Sequence, residues 1–262
     1  MTAKLIADAR KIVIKLGSNT LADKNGRISD SFLASLAGQV AELYRRNKQI
    51  AVVSSGAQVA GLSTLGKWER KKDIHYRQAL CAVGQVELMV AWQRAFAPHG
   101  LHIGQILLTL DDFGDDLRSL NMRNTIFTLV DEGIIPIINE NDTVGVEEIK
   151  IGDNDTLAAQ SAILWGADLV ILFSDVNGLY TKNPKIHSDA EFITEVKDIA
   201  SARAGVSIDG VNSFGTGGVA TKLDAAQLCA SYAIPVILAN GGFPRPLAAL
   251  ADGTLQGTAF LA

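Results

Sequence analysis

The feature that most constrains the fold is a series of short aliphatic runs spread along the chain. They are KIVIKLG from Lys11, QIAVVSSG from Gln49, IGQILLTL from Ile103, IIPIINE from Ile134, LVILFSD from Leu169 and IPVILANG from Ile234. Each is strand length and apolar almost throughout, the pattern of strands buried on both faces. Between them, apolar residues recur at helical spacing over Asp30 to Arg46, Tyr76 to Phe96, Met122 to Glu132, Asp155 to Trp165 and Val219 to Tyr232. This alternation predicts an α/β fold with a mainly parallel central sheet covered by helices on both faces. Composition agrees: 6% aromatic residues and 24 glycines suit aliphatic strands joined by tight turns.

A chain of 262 residues could hold one large domain or two small ones. With no repeat, low-complexity tract or linker, one domain over 1–262 is expected, with a midpoint near Asp168 and a different ligand for each half. Two segments break the rhythm. TVGVEEIKIG, Thr143 to Gly152, reads as a small hairpin, and Lys182 to Phe214 reads as polar and irregular.

The formal charge of -4 and the absence of a Lys/Arg block argue against a nucleic-acid surface, though anionic small molecules stay open. Cys81 and Cys229 fit neither a disulfide framework nor a zinc spacing and read as small buried hydrophobes. The apolar stretch in MTAKLIADARKIVIKLG is too short for a signal peptide, and no run approaches a membrane span. A soluble protein of the reducing cytoplasm is therefore expected.

In an open parallel sheet, ligands bind beyond the carboxyl ends of the strands. Small and polar residues cluster there: GSN after the first run, SSGA after the second, NEND after the fourth, SD after the fifth and NGG after the sixth. SSGAQVAG, Ser54 to Gly61, leads from a strand into a helix start that could receive an anion, and a closely packed capped helix explains it equally well. FGTGGVATKLDAAQL, Phe214 to Leu228, places a glycine loop before a helix with apolar positions Val219, Leu223, Ala226 and Ala230. Lys222 near the positive end of that helix opposes the macrodipole unless a phosphate shares the place. Walker A fails, because Lys222 follows Thr221 and precedes Leu223. Gly215, Gly217 and Ala220 meet the looser dinucleotide pattern, but no clear strand precedes them and no acidic residue follows at the required distance.

Lys15 ends the first strand, where an inward charge is costly without a partner at the sheet edge. In GDND, Asp153, Asn154 and Asp155 stand together where a helix cap needs one residue. The four histidines are scattered, and no hydrolase triad or metal-ligand cluster is visible.

In this order VIKLGSN, VVSSGAQVAG, IINENDTV, KIGDNDTLAA, LFSDVNGLYTKNP and FGTGGVATKLDAA resemble the amino-acid kinase family, from about Lys11 to the C-terminus. NENDTV followed by GDND is similar to the branch acting on glutamate. The resemblance implies a three-layer α/β/α sandwich and transfer of the ATP γ-phosphoryl group to the γ-carboxylate of L-glutamate, the first step of proline biosynthesis. It implies catalytic roles for Lys15, Lys222 and Asp155, the aspartate orienting both lysines. Ser55, Gly56, Ala57, Asp142 and Asn154 would bind the amino acid. Lys15, Ser174, Asp175, Thr216, Gly217, Gly218, Val219, Ala220, Thr221 and Lys222 would line the nucleotide site. Mg²⁺ would accompany ATP with no direct protein ligand assigned, and Asp153 is left for capping or Mg²⁺ placement. The N-terminal half would hold the amino acid and the C-terminal half the nucleotide. A homo-oligomer, dimer or tetramer, and glutamyl-phosphate reductase are the implied protein partners.

There are departures from the family pattern. Val219 stands where a Met is usual, Asn183 where an Asp is common, and a C-terminal PUA domain is absent from this sequence. The glutamate carboxylate, with an ordinary pKa near 4.3, needs no general base, which accounts for a site without histidine. Asp142 suits a free α-ammonium group, favouring glutamate over N-acetylglutamate. Kinases of N-acetylglutamate, aspartate or a nucleoside monophosphate are the nearest alternatives, and a non-catalytic amino-acid sensor is the alternative from another class.

Overall fold

A computed structural model describes residues 1–66, 73–145, 154–184, 186–205 and 218–261. Its strands are β1 (Lys11–Leu16), β2 (Gln49–Ser54), β3 (Ile103–Leu108), β4 (Ile135–Glu140), β5 (Leu169–Ser174), β6 (Leu179–Tyr180), β7 (Phe192–Ile193), β8 (Glu195–Val196), β9 (Val236–Asn240) and β10 (Thr258–Phe260). The α-helices among the described residues are α1 (Thr2–Asp8), α2 (Ser18–Leu21), α3 (Asp30–Arg45), α4 (Ala57–Leu65), α5 (Ile74–Phe96), α6 (Asp116–Asp131), α7 (Asn154–Trp165), α8 (Ile199–Gly205), α9 (Val219–Ala230) and α10 (Pro246–Asp252).

One eight-stranded sheet runs in the order β3-β4-β2-β1-β5-β9-β10-β8. It is parallel from β3 to β9, β10 is antiparallel to β9, and β8 is parallel to β10. Strands β6 and β7 form a separate antiparallel pair. On one flank of β1 lie β2, β4 and the edge strand β3 in that spatial order, and the chain then crosses to β5 on the other flank of β1. The crevice between those two directions is the switch point where open sheets bind ligands.

The pleat sorts the core into two layers. Ile12, Ile14 and Leu16 of β1 pack with α3, α5 and α10 on one face, and Val13 packs with α7 and α9 on the other. Both layers are buried, as near-continuous aliphatic strands require. The expected three-layer sandwich is therefore the observed fold. By the same alternation Lys15 belongs to the α7 and α9 face, paired in register with Val53 of β2 and Leu172 of β5.

Several boundaries differ from the sequence reading. Helix α6 begins at Asp116 rather than near Met122, because the Asp115 side chain accepts from the Arg118 N–H while Leu117 and Leu120 remain exposed and give no inward periodicity. Strand β3 is an edge strand with Gln105 exposed, so it is not buried on both faces. The segment read as irregular contains β7, β8 and α8, and β8 joins the main sheet through β10. Strands of two residues carry too little periodicity to be read. The hairpin expected over Thr143 to Gly152 lies mostly outside the described residues.

Candidate active site

The site starts from strand ends. Leu16 of β1 is in register with Ser54 of β2 and Phe173 of β5, so Lys15, Ser55 and Ser174 come to one edge of the sheet. The first turns of α7 and α9 face that edge from the same side. Asp155 is fully buried, and Lys15 and Lys222 are each 6% exposed. Lys15 Nζ lies 2.6 Å from Asp155 Oδ1, and Lys222 Nζ donates to Asp155 Oδ2 at 3.0 Å.

Burial by itself would raise the Asp155 carboxyl. The charges of Lys15 and then Lys222 override it and hold the group well below the usual carboxylate range. One carboxylate thus bridges two ammonium groups from different elements, β1 and α9. Desolvated charges of this kind are tolerated only when tightly paired, so removing either sign exposes the other. The Thr221 hydroxyl lies 3.2 Å from Asp155 Oδ2 and 2.8 Å from the Gly218 carbonyl, and its single hydrogen serves one of them at a time.

The next residue of α7 faces different chemistry. Asn154 Nδ2 donates to Ser55 Oγ at 2.7 Å and to Asn139 Oδ1 at 2.9 Å. Asn139 Nδ2 in turn donates to Gln85 Oε1 at 2.8 Å. The amide relay therefore crosses from α7 over β4 to α5. Neither Asn139 nor Gln85 was expected from the sequence. Two signals mark them: Asn139 is polar inside a wholly buried strand, and Gln85 shares a helix face with buried Cys81, Leu88 and Trp92.

Ser55 and Gly56 form the turn between β2 and α4. Gly56 has φ +108°, a left-handed conformation that side chains resist, and a Cβ there would press on Leu21 and Ile28 at 3.2 Å. Ala57 opens α4 against α5. Gly84 lets those two backbones meet, since a Cβ on it would stand 1.8 Å from the Ala57 carbonyl oxygen.

Asp142 follows β4 and is half-buried. Burial lifts its carboxyl above the usual range, against the lowering influence of the Cys81 thiol hydrogen bond and the Arg77 charge. Burial, reinforced by Asp142, also pushes the Cys81 thiol up, so it behaves as an inert packed group. A cleft of about 830 Å³ lies between α5 and β3, and Cys81, Gln85, Glu140 and Asp142 are among its lining residues.

On the other flank of β1, Ser174 Oγ lies 3.3 Å from Asp175 Oδ1 at the end of β5. Gly218 precedes α9, whose first turn carries Val219, Ala220, Thr221 and Lys222, and a Cβ on Gly218 would meet nothing within 4 Å among the described residues. Lys222 is turned inward with Leu223, Ala225 and Ala226, whereas Val219 and Ala230 are only partly buried. Thr216, Gly217 and Asp153 lie outside the described residues. No group of three His, Cys, Asp or Glu side chains able to grip a metal is present among the described residues. No helix among them is long and apolar enough to cross a membrane.

A profile of the amino acid kinase family matches residues 10–240. The chain is 56% identical over 262 residues to "Glutamate 5-kinase" of Alkaliphilus metalliredigens (strain QYMF), covering 100% of this chain and 99% of the relative. It is 53% identical over 260 residues to "Glutamate 5-kinase" of Alkaliphilus oremlandii (strain OhILAs), covering 99% of each. Among solved structures, UMP kinase from Ureaplasma parvum superposes with a TM-score of 0.67 at 16% identity, covering 97% of this chain and 99% of that one. At that identity the likeness concerns the fold.

Proposed function

We propose that this chain, which belongs to the amino acid kinase family, transfers the γ-phosphoryl group of ATP to the γ-carboxylate of L-glutamate, giving L-glutamyl 5-phosphate for proline biosynthesis. The observation that carries the reading is the bridge from Lys15 through Asp155 to Lys222 beside the neutral amide of Asn154. Relatives named glutamate 5-kinase that match the whole chain support the same acceptor.

The roles follow from charge. A γ-carboxylate oxygen attacks the γ-phosphorus, the bond to the β,γ-bridging oxygen breaks, and ADP leaves. The acceptor is already ionised, so no proton must be taken from it. Lys15 and Lys222 neutralise the charge spread over the transferring group, and Asp155 holds both ammonium groups in place before reaction, so little reorganisation is needed. Ser55, Gly56, Ala57, Asn154 and Asp142 hold the amino acid, with Asp142 receiving its ammonium group. Ser174, Asp175 and residues 216–222 hold the nucleotide. Mg²⁺ would travel on the ATP phosphates and supply charge neutralisation there, since Asp155 is committed to the lysines.

The single domain over 1–262 divides on this reading into an amino-acid half and a nucleotide half. A homo-oligomer, dimer or tetramer, in the cytoplasm is part of the proposal, and so is delivery of the reactive acyl phosphate to glutamyl-phosphate reductase.

The test is incubation with ATP, Mg²⁺, hydroxylamine and a panel of amino acids, trapping acyl phosphate as hydroxamate. Glutamate-dependent product is expected. Product with N-acetylglutamate or aspartate instead, or ligand binding with no turnover, would overturn the reading.

A further inference from the structure

We propose that Gln85 selects the acceptor by its α-carboxylate, donating an amide N–H to that group from the far end of the amide relay. This rests on the glutamate reading and names a residue that the reading does not use. Asn154 spends its Nδ2 on Ser55 Oγ at 2.7 Å and Asn139 Oδ1 at 2.9 Å. Asn139 is thereby oriented with its own Nδ2 toward Gln85 Oε1, at 2.8 Å. Each amide fixes the next, and Gln85 is left with its nitrogen facing away from the relay.

That nitrogen has no hydrogen-bond partner among the described residues, although Gln85 is only 8% exposed. A buried donor left unpaired is costly, and one kept in a native fold calls for a partner such as a ligand, an ion or a water. Gln85 lines the cleft beside Asp142. The order of groups is thus set by the fold: two ammonium groups at Asp155, then Asn154, Asn139 and finally Gln85 with Asp142. L-Glutamate has the same order of complementary groups, with a γ-carboxylate at one end and an α-ammonium beside an α-carboxylate at the other. The lysines meet the first, Asp142 the second and the Gln85 amide the third. A glutamine placed only to support Asn139 would leave its donor uncompensated.

The experiment compares wild type with Gln85→Glu at pH 8, in the hydroxamate assay with ATP and Mg²⁺. The acceptors are L-glutamate and L-isoglutamine, which keeps the γ-carboxylate and carries an α-carboxamide. The glutamate side chain can still accept from Asn139, so the relay is preserved while the outward donor becomes an anion. Glutamate should lose about 100-fold in kcat/KM, carried by KM, because a charge-assisted bond is replaced by like-charge repulsion. Isoglutamine can donate to the new carboxylate and should change by less than about threefold on the same grounds. Equal losses for both acceptors, or an unchanged glutamate KM, would overturn the role of Gln85 while leaving the glutamate reading intact. Wild-type enzyme that makes hydroxamate from another amino acid and none from glutamate would overturn both. Should Gln85→Glu not fold, Gln85→Met serves: glutamate KM is expected to rise about tenfold. The inhibition constant of 4-aminobutyrate, which lacks the α-carboxylate, is expected to move by less than about twofold in that variant. Equal shifts would again overturn the proposal.

Discussion

Asp155 and Asn154 are neighbours in the first turn of α7, yet they organise opposite kinds of chemistry. Asp155 sits in a cluster of full charges. Asn154 heads a chain of neutral amides. A buried ion cluster gives strong, weakly directional attraction suited to a group whose charge moves during reaction. An amide chain gives little net attraction but fixes which end donates and which accepts. A single residue step along the helix therefore separates the part proposed to stabilise a transition state from the part proposed to recognise a ground state.

Breaking the charged side should have the largest effect. Asp155→Ala takes the shared carboxylate away from two buried ammonium groups and is expected to cost about 3 to 5 kcal/mol of stability, read by urea unfolding at pH 7. Because the folded carboxyl lies below its ordinary value of 3.8, this stabilisation is full above that value and is lost as pH falls through the folded pKa. Lys15→Ala or Lys222→Ala keeps one partner for Asp155. Each should lower turnover about 10²- to 10³-fold, or about 3 to 4 kcal/mol, and near wild-type turnover would remove that lysine from the proposed chemistry.

The neutral side should respond in binding. Gly84→Ala forces α4 from α5 and is expected to cost about 1 to 3 kcal/mol of stability, seen as a lower urea midpoint, while raising glutamate KM through the displaced Ser55 turn. Asn139→Ala cuts the relay at its centre and should raise glutamate KM about tenfold with the ATP KM unchanged, measured by initial rates with each substrate varied. A matching rise in ATP KM would erase the proposed division between the two sides.

The smallest effect is a pH slope. Burial raises the Asp142 carboxyl, and an ammonium ligand favours its ionised form, so binding should release a proton. Glutamate KM should therefore rise as pH falls through the raised pKa, and the slope should vanish in Asp142→Asn.

The two sides were not equally legible in the sequence. Lys15 at a strand end, Lys222 beside a glycine loop and the crowded GDND each violate a local preference, and such violations are visible in one dimension. The six long strands were legible because their aliphatic runs exceed what a turn or exposed strand would carry. Asn139 and Gln85 lie 54 positions apart and violate little by themselves, so their hydrogen bond appears only when α5 is laid against β4. The start of α6 was hidden because its first turns carry exposed leucines, and β8 was hidden because it is two residues long.

The contact at Gly84 has a consequence for engineering the range of acceptors. Gln85 is the next residue along α5, so the close approach that seats α4 also clamps the neighbouring glutamine, leaving no slack to redirect it by moving the helix. A library aimed at new acceptors should spare Gly84 and also Gly61, where a Cβ would stand 2.0 Å from the Leu80 carbonyl oxygen, and vary side chains on the cleft wall instead, since any bulk at the crossing would shift both ends of the amino-acid pocket together.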